Sequence, residues 1–397
     1  MMLKNVNLFF TETLFKKKIY IFSLWFLISA LALIKILNGG SYNNFLIFKY
    51  TFFSLINQKN LFLPQPENFQ HYNLYGPIFS VLIAPFAVLP NWLGHTLWTF
   101  FNSFILLYAI RKLPLSSGIT LAILLIAAHE NLTSILSSQF NPSMTAIILL
   151  TYSFIDQKKD FWAALMIVLG TFIKLYGIVG LAFFFFSKNK LRLISGLVFW
   201  GALAFSIPML FSSPSFIIQT YKDWFEAITE KNRMNSTLIT DQDICLMGMV
   251  RRISGNPHIP NWPFLGAGII LFALPYFRIS QFKEPVFRLL ILASTLIFTV
   301  IFSTSSESPT YIIAFTGVAI WFIVQKRPFK IWQIILFIFA MALTSFSPSD
   351  LFPKFIRNEF IKPYSLKALP CVLIWFAVSY QLLTRDFKNS DLKNLKS

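Results

Sequence analysis

The sequence predicts an all-α integral membrane protein, a single polytopic domain over residues 1–397 with about 10–13 transmembrane helices. Three observations lead to this fold class. First, 56% of the 397 residues are hydrophobic and 13% are charged, whereas a soluble domain carries about a quarter charged residues. Second, long apolar runs alternate with short clusters of Lys and Arg, as expected when positive loops stay in the cytoplasm. Third, the net charge of +18 fits cytoplasmic loops beside anionic lipids, so we expect no nucleic-acid partner.

The first predicted span, residues 19–37, follows the basic cluster Lys16, Lys17 and Lys18. It is long and lacks a small-x-small cleavage site, so we interpret it as an uncleaved helix that starts in the cytoplasm. The second half alternates regularly, with predicted spans at 193–211, 263–277, 289–303, 309–325, 329–346 and 368–384. This alternation places both termini in the cytoplasm, with a cytoplasmic tail at 385–397 and outer loops at about 38–74, 212–262 and 347–367.

The first half leaves two topologies open. The apolar stretch that ends at Arg111 contains Pro77, Pro85 and Pro90. Its length suits either one crossing with a short re-entrant piece or two crossings. The sequence is therefore compatible with either number of membrane spans before Arg111.

Two further segments predict helices that do not simply cross the membrane. Residues 161–186 are too short for two full spans, so we expect short helices at 161–172 and 175–186 that meet at an apex occupied by Lys174. Residues 42–58 place their aromatic side chains at helical spacing. This pattern indicates either an interfacial helix on the outer membrane face or a buried packing helix.

The carboxylates sort by their predicted side of the membrane. Those in cytoplasmic loops stand beside Lys or Arg, where solvated pairing is expected. Acid–base chemistry therefore has most of its candidates on the outer face, and no phosphate-binding loop indicates a cytoplasmic nucleotide-using enzyme. The outer carboxylates are Glu67, Asp223, Glu226, Glu230, Asp241, Asp243, Glu307, Asp350 and Glu359.

A few polar side chains interrupt the apolar runs. Glu307 is a lone carboxylate between two predicted helices, either a functional group or a cap for the second helix. Lys174 suits a lipid phosphate unless it only snorkels to the interface. Gln139 and Asn141 could hydrogen-bond sugar hydroxyls or cap a helix. The four His and two Cys are scattered, so we predict no metal site and no disulfide framework.

Several motifs, taken in order, resemble glycosyltransferase family 87, whose members transfer mannose or a related sugar from a polyprenyl-phosphate carrier. The resemblance covers residues from about 19 to 385. It implies a membrane bundle of the GT-C type, with the active site at the outer face under the first long loop and with re-entrant or interfacial helices there. The motifs are YNNFLIF at 42–48, YNLYGPIF at 72–79, PFAVLP at 85–90 with Leu97, Trp98 and Asn102, QFNP at 139–142, and FIKLY at 172–176.

The resemblance also implies an Asp general base in the first outer loop, where this chain reads Asn43 and Asn44. A neutral amide cannot accept the acceptor proton. Glu307 is the first predicted substitute. Asp243, within a polar motif of the long outer loop, and Glu67, in the same loop as the two asparagines, come next.

On the donor side, Lys174 matches the Lys that the family places at the apex of its paired helices. The resemblance therefore implies that Lys174 binds the donor phosphate. Tyr75, Gln139 and Asn141 are predicted to contact substrate with it.

These observations predict an inverting hexosyltransferase of a bacterial cytoplasmic membrane. It would use a mannose-like polyprenyl-phosphate sugar, need no cofactor beyond this donor, and act on a glycan or glycolipid acceptor among the membrane lipids. Two alternatives stay open. The missing Asp favours a non-catalytic binder of a lipid-linked sugar, and isolated charges between many spans are also found in lipid or glycan transporters.

Overall fold

The computed structural model describes residues 18–40, 42–236, 238 and 241–388. These residues form helices and connecting turns with no β-strand among them, which confirms the all-α fold class. Lys16, Lys17 and residues 389–397 of the predicted tail lie outside the described residues.

The α-helices longer than eight residues carry most of the chain. They lie at Lys18–Leu37, Asn43–Ile56, Asn91–Arg111, Ser117–Leu136, Asn141–Asp156, Asp160–Lys174, Lys190–Ser206, Pro214–Asn235, Leu246–Ser254, Trp262–Ala273, Pro285–Ile301, Tyr311–Ile323, Ile331–Phe339 and Leu369–Thr384. Short α-helices lie at Pro77–Leu82, Ala84–Ala87 and Lys354–Ile356. The 3₁₀-helices lie at Leu175–Phe186, Ile207–Leu210, Leu274–Phe277, Ile279–Gln281, Ser308–Thr310 and Leu366–Ala368, and π-helices at Ala340–Phe346 and Arg357–Ile361.

Six helical segments of the described chain are long and apolar enough to cross a membrane, as a polytopic membrane protein requires. They are Lys18–Leu37, Asn91–Arg111, Ser117–Leu136, Asp160–Phe186, Lys190–Leu210 and Leu366–Thr384. Shorter apolar helices lie at Trp262–Phe277, Pro285–Ile301, Ser308–Ile323 and Ile331–Phe346. All spans predicted from residue 193 onward coincide with one of these helices to within a few residues, while their sidedness stays a prediction.

The chain folds into two compact units. The N-half unit contains Phe26–Ala109 and Ser134–Arg233. The C-half unit contains the described residues up to Trp25, Ile110–Thr133, and those from Met234 onward. Each unit therefore takes its helices from separate stretches of the sequence.

The core of the C-half unit is built on the helices Pro285–Ile301 and Tyr311–Ile323. Both are almost entirely buried, and Phe287, Phe315 and Trp321 are fully inaccessible to solvent. One polar pair in this core is the indole of Trp375, which donates to the Ser294 hydroxyl at 3.0 Å. This pairing is expected where water cannot satisfy buried polar groups.

The N-half unit contains the predicted hairpin. Although Asp160–Phe186 is long enough for one span, the chain reverses at Lys174, whose backbone is extended with φ −154° and ψ 90°. The two arms touch at glycines, because a Cβ on Gly170 would lie 2.7 Å from the Cα of Gly177. Such close backbone approach needs small residues. The two-arm prediction with Lys174 at its apex therefore agrees with the structure.

The helix Asn43–Ile56, which we call the first-loop helix, is a buried packing helix and not an exposed interfacial one. Phe45 and Leu55 are fully buried, and the ring of Phe48 lies edge-on to Tyr75 at 4.9 Å and to Phe79 at 5.1 Å. The periodicity is compatible with an interfacial helix or a buried packing helix, and the burial of these side chains favours the packing helix.

The proline-rich stretch before Arg111 forms two short helices, Pro77–Leu82 and Ala84–Ala87, followed by one long helix, Asn91–Arg111. Pro77 and Pro85 each occupy the first turn of a helix, where a missing N–H is tolerated. This arrangement matches the alternative of one crossing with a short additional piece.

We expect Gly177→Ala to destabilise the hairpin. An added Cβ would overlap backbone atoms of Gly170 and Thr171, which cannot move unless the two arms separate. The free energy of unfolding should fall by at least about 2 kcal/mol, measured by thermal unfolding of the purified protein in detergent. Gly201→Ala is the matched control, because no atom lies within 4 Å of its added Cβ. Equal unfolding midpoints for the two variants would contradict the glycine contact.

Candidate functional site

Lys174 is held at the hairpin apex by aromatic rings and one amide. Its Nζ lies 4.7 Å from the ring centroid of Tyr176 and 5.8 Å from that of Tyr75. The same Nζ donates a hydrogen bond to Oδ1 of Asn141 at 3.2 Å. Cation–π contacts and an amide oxygen stabilise the ammonium without neutralising its charge. These contacts place the ammonium of Lys174 at the apex, between the rings of Tyr75 and Tyr176.

Gln139 and Asn141 form a chain that orients this ammonium. Asn141 is fully buried and its Nδ2 donates to Oε1 of Gln139 at 2.7 Å. That bond turns Oδ1 of Asn141 toward Lys174. In this structure the Asn141 amide thus orients Lys174, whereas its predicted contact with substrate stays a prediction.

The loop that carries Tyr75 is fastened to the apex by main-chain bonds. The N–H of Gly76 donates to the carbonyl of Ile173 at 3.0 Å. A Cβ at position 76 would overlap the Phe172 carbonyl oxygen and lie 2.9 Å from Trp224. Only glycine allows this approach, so the sequence Tyr75–Gly76 brings the tyrosine ring beside Lys174.

Asn43 and Asn44 both use their amide groups as donors to backbone carbonyls. Nδ2 of Asn43 donates to the Gln70 carbonyl at 2.8 Å, and the Gln70 N–H returns a bond to Oδ1 at 2.7 Å. Nδ2 of Asn44 donates to the Ser137 carbonyl at 2.8 Å. A carboxylate has no hydrogen to donate at either place. Asn therefore fits these positions structurally, and the two side chains tie the first loop in place.

An open cleft of about 340 Å³ adjoins Asn43. Its wall includes Glu67, which is exposed, and Asn68 donates to Oε1 of Glu67 at 3.3 Å. The cleft thus brings together two of the predicted site residues, Asn43 and Glu67, within the N-half unit. Its lining residues are Gly40, Tyr42, Asn43, Leu46, Pro66, Glu67, Asn68, Phe69 and Gln70.

Glu307 and Asp243 belong to the C-half unit and have different surroundings. The Glu307 carboxylate is partly exposed and accepts a hydrogen bond from Nε2 of Gln242 at 2.9 Å. The backbone N–H of Glu307 donates to the Thr310 hydroxyl at 3.2 Å. Asp243 is buried against Arg251, with Oδ2 2.6 Å from Nη2. Burial raises the pKa of the Asp243 carboxyl, while hydrogen bonds from Arg251 act in the opposite direction. Asp243 is thus engaged in an internal ion pair, and Glu307 is the more accessible carboxylate of the two.

One polar cluster was not predicted from the sequence. Nζ of Lys367 lies 3.1 Å from Oε1 of Glu130 and donates to the Ser308 hydroxyl at 3.0 Å. Both charged side chains are almost completely buried, at 4% and 0% exposure. The available signal is that Glu130 stands inside an apolar helix, where a charge needs a partner. Because Ser308 follows Glu307, this pair helps to fix the segment that carries Glu307.

Among the described residues, no group of three or more His, Cys, Asp or Glu side chains is placed to hold a metal ion.

The sequence model of glycosyltransferase family 87 matches residues 73–304, more than half of the chain. This match confirms the resemblance drawn from the motifs. No curated protein matches the chain. The matched range includes Tyr75, Gln139, Asn141, Lys174 and Asp243, whereas Asn43, Asn44, Glu67 and Glu307 lie outside it.

We expect Asn44→Asp to destabilise the protein. The carboxylate would face the Ser137 carbonyl without a proton to donate, which should lower the free energy of unfolding by about 1–3 kcal/mol. Thermal unfolding in detergent measures the loss. Asn57→Asp is the matched control, because its bond to the Phe53 carbonyl is solvent-exposed and water can replace it. An Asn44→Asp protein as stable as the parent would contradict the structural role.

Proposed function

Because the chain belongs to glycosyltransferase family 87, we propose that it transfers a hexose from a polyprenyl-phosphate carrier to a glycan or glycolipid acceptor at the outer face of the membrane. The observation that carries this proposal is the placement of Lys174. Its ammonium stands at the apex of an apolar hairpin, held by Asn141 between Tyr75 and Tyr176. A fixed cation at such a place suits the phosphate of a lipid carrier.

In the proposed reaction, the acceptor hydroxyl oxygen bonds to the anomeric carbon as the bond from that carbon to the phosphate oxygen breaks. Polyprenyl phosphate leaves with the electron pair, and Lys174 stabilises the charge that develops on it. The proton of the acceptor hydroxyl passes to a carboxylate. The products are the new glycoside and free polyprenyl phosphate.

We assign the proton acceptor to Glu67. The neutral amides of Asn43 and Asn44 cannot take the proton, and both are engaged with backbone carbonyls. Glu67 is an exposed carboxylate that lines the cleft beside Asn43, in the same compact unit as Lys174. Glu307, the first substitute favoured by the sequence, is the second candidate because Gln242 holds its carboxylate in a fixed orientation.

The cleft is the proposed acceptor site. Its volume of about 340 Å³ lies within the range of small-ligand pockets. Tyr42, Asn43, Asn68 and Gln70 give it an aromatic ring and several amides, which are suited to a polyhydroxylated sugar. An acceptor hydroxyl bound there would reach the Glu67 carboxylate.

A non-catalytic binder of a lipid-linked sugar is the second candidate function. It is favoured by the two neutral side chains where the family pattern has an Asp. Specific binding of the lipid-linked sugar, together with no transfer to any acceptor fraction, would support the binder over the transferase.

We expect Lys174→Ala to lower kcat at least 100-fold, because the leaving phosphate loses its charge-stabilising partner. The assay follows label from polyprenyl-phospho-[¹⁴C]mannose into membrane glycans or glycolipids. Lys188→Ala is the matched control, since Lys188 is an exposed lysine just beyond the other end of the hairpin. Transfer by Lys174→Ala at the parental rate would remove this residue from the mechanism.

Glu67→Gln should lower kcat by about 100-fold with little change in KM, because the amide keeps the shape of the side chain and cannot take the proton. The same transfer assay is run on Glu307→Gln. A large loss in Glu307→Gln beside normal turnover in Glu67→Gln would move the base to Glu307 and leave the transferase assignment intact.

A further inference from the structure

The helix Pro214–Asn235, which we call the loop helix, begins just after a candidate span ends. The span Lys190–Leu210 has only 22% of its most apolar window buried inside the protein, so most of its surface faces lipid. Residues 211–213 alone separate its end from Pro214. The first turns of the loop helix therefore lie at the depth of the membrane surface.

The loop helix has three faces of different character. Its packed face carries Ile217, Thr220 and Trp224, which are 0%, 1% and 8% exposed. At 100° per residue, Ile218 and Phe225 fall together on a second face. These two side chains are 46% and 72% exposed, although both are large and apolar.

The third face is polar. Gln219, Glu226 and Glu230 project roughly opposite the packed face and are exposed. Each apolar residue of the second face therefore has a polar neighbour one position away on the third. A helix in bulk water has no reason to separate its exposed residues in this way, whereas a helix at a membrane surface does.

The apolar second face continues the lipid-facing surface of the preceding span. Leu210 and Phe211, at the end of that span, are 82% and 42% exposed. Lys222 is also exposed and lies at the edge of the second face, about 40° from Ile218 in the direction of the third face. A lysine among apolar residues at this depth can extend its ammonium to lipid phosphates.

The loop helix and the residue just before it hold the first loop. Asp223 accepts a bond from Nδ2 of Asn60 at 2.9 Å, and the Ser213 hydroxyl donates to Gln58 at 3.2 Å. The Trp224 indole donates to the Leu74 carbonyl at 3.0 Å. Leu74 precedes Tyr75, so the helix also supports the loop beside Lys174.

We propose that the loop helix is seated on the membrane surface, with Ile218 and Phe225 inserted at the boundary between headgroups and acyl chains and with Lys222 at the level of the lipid phosphates. The partner is the bilayer itself. The seating fixes the depth of the loop helix, and through Trp224 and Leu74 it fixes the depth of the Tyr75 loop. This inference rests on exposure and helix geometry and not on the proposed transfer reaction.

Site-directed spin labelling tests the seating. Phe225→Cys and Ile218→Cys are each labelled with a nitroxide in full-length protein reconstituted in vesicles of phosphatidylethanolamine and phosphatidylglycerol. Glu226→Cys and Gln219→Cys are the matched controls, one residue away in each case. The native Cys245 and Cys371 are buried, so the new cysteines take the label. Power saturation then compares how often the nitroxide collides with oxygen, which concentrates in lipid, and how often it collides with a water-soluble nickel chelate.

We expect the ratio of oxygen to nickel collisions to be several-fold higher at positions 225 and 218 than at 226 and 219. Equal ratios at all four positions, or greater nickel access at 225 than at 226, would overturn the proposal. All four positions are exposed. Because Gln219 donates to Asp223 at 2.8 Å, the pair at 225 and 226, which leaves that bond intact, decides the outcome. The measurement uses neither donor nor acceptor, so its result is independent of the transfer assay.

Discussion

The contact between Gly170 and Gly177 is the constraint on which the N-half unit depends. Between lipid-exposed helices there is little hydrophobic force, so association relies on close packing of small residues. The two glycines let the arms of the hairpin meet backbone to backbone, and the chain must then turn between them. That turn is where Lys174 stands. The position of the proposed phosphate-binding cation thus follows from two residues that carry no side chain.

A second glycine contact joins the first loop to the apex of the hairpin. Gly76 approaches the Phe172 carbonyl and bonds to the Ile173 carbonyl, so the neighbouring Tyr75 ring lies beside the ammonium. Asn141, fixed by Gln139, approaches the same ammonium with its amide oxygen. The Tyr75 ring and the Asn141 amide thus both help to orient Lys174.

Asn43 and Asn44 have a structural role in the first loop. Viewed in the sequence, they are residues that cannot do the work of an Asp. In the structure each amide closes a hydrogen bond that a carboxylate could not make, and together they tie the first-loop helix to two other segments. The tying role and the proposed acid–base role are thus divided between different side chains of one loop, with Glu67 facing the cleft.

The all-α membrane class, the family, the helices of the second half and the hairpin with Lys174 at its apex can all be predicted from the amino-acid sequence. These features depend on composition, on runs of about 20 apolar residues and on local motifs, which are all properties of neighbouring residues. Three other features depend on the three-dimensional fold: the first-loop helix packs in the core, Asn141 accepts a hydrogen bond from Lys174, and Lys367 pairs with Glu130. Each of these depends on groups far apart in the chain, as the 3.1 Å contact between positions 130 and 367 shows. Periodicity marks the apolar face of a helix, but whether protein or lipid covers that face is decided by packing.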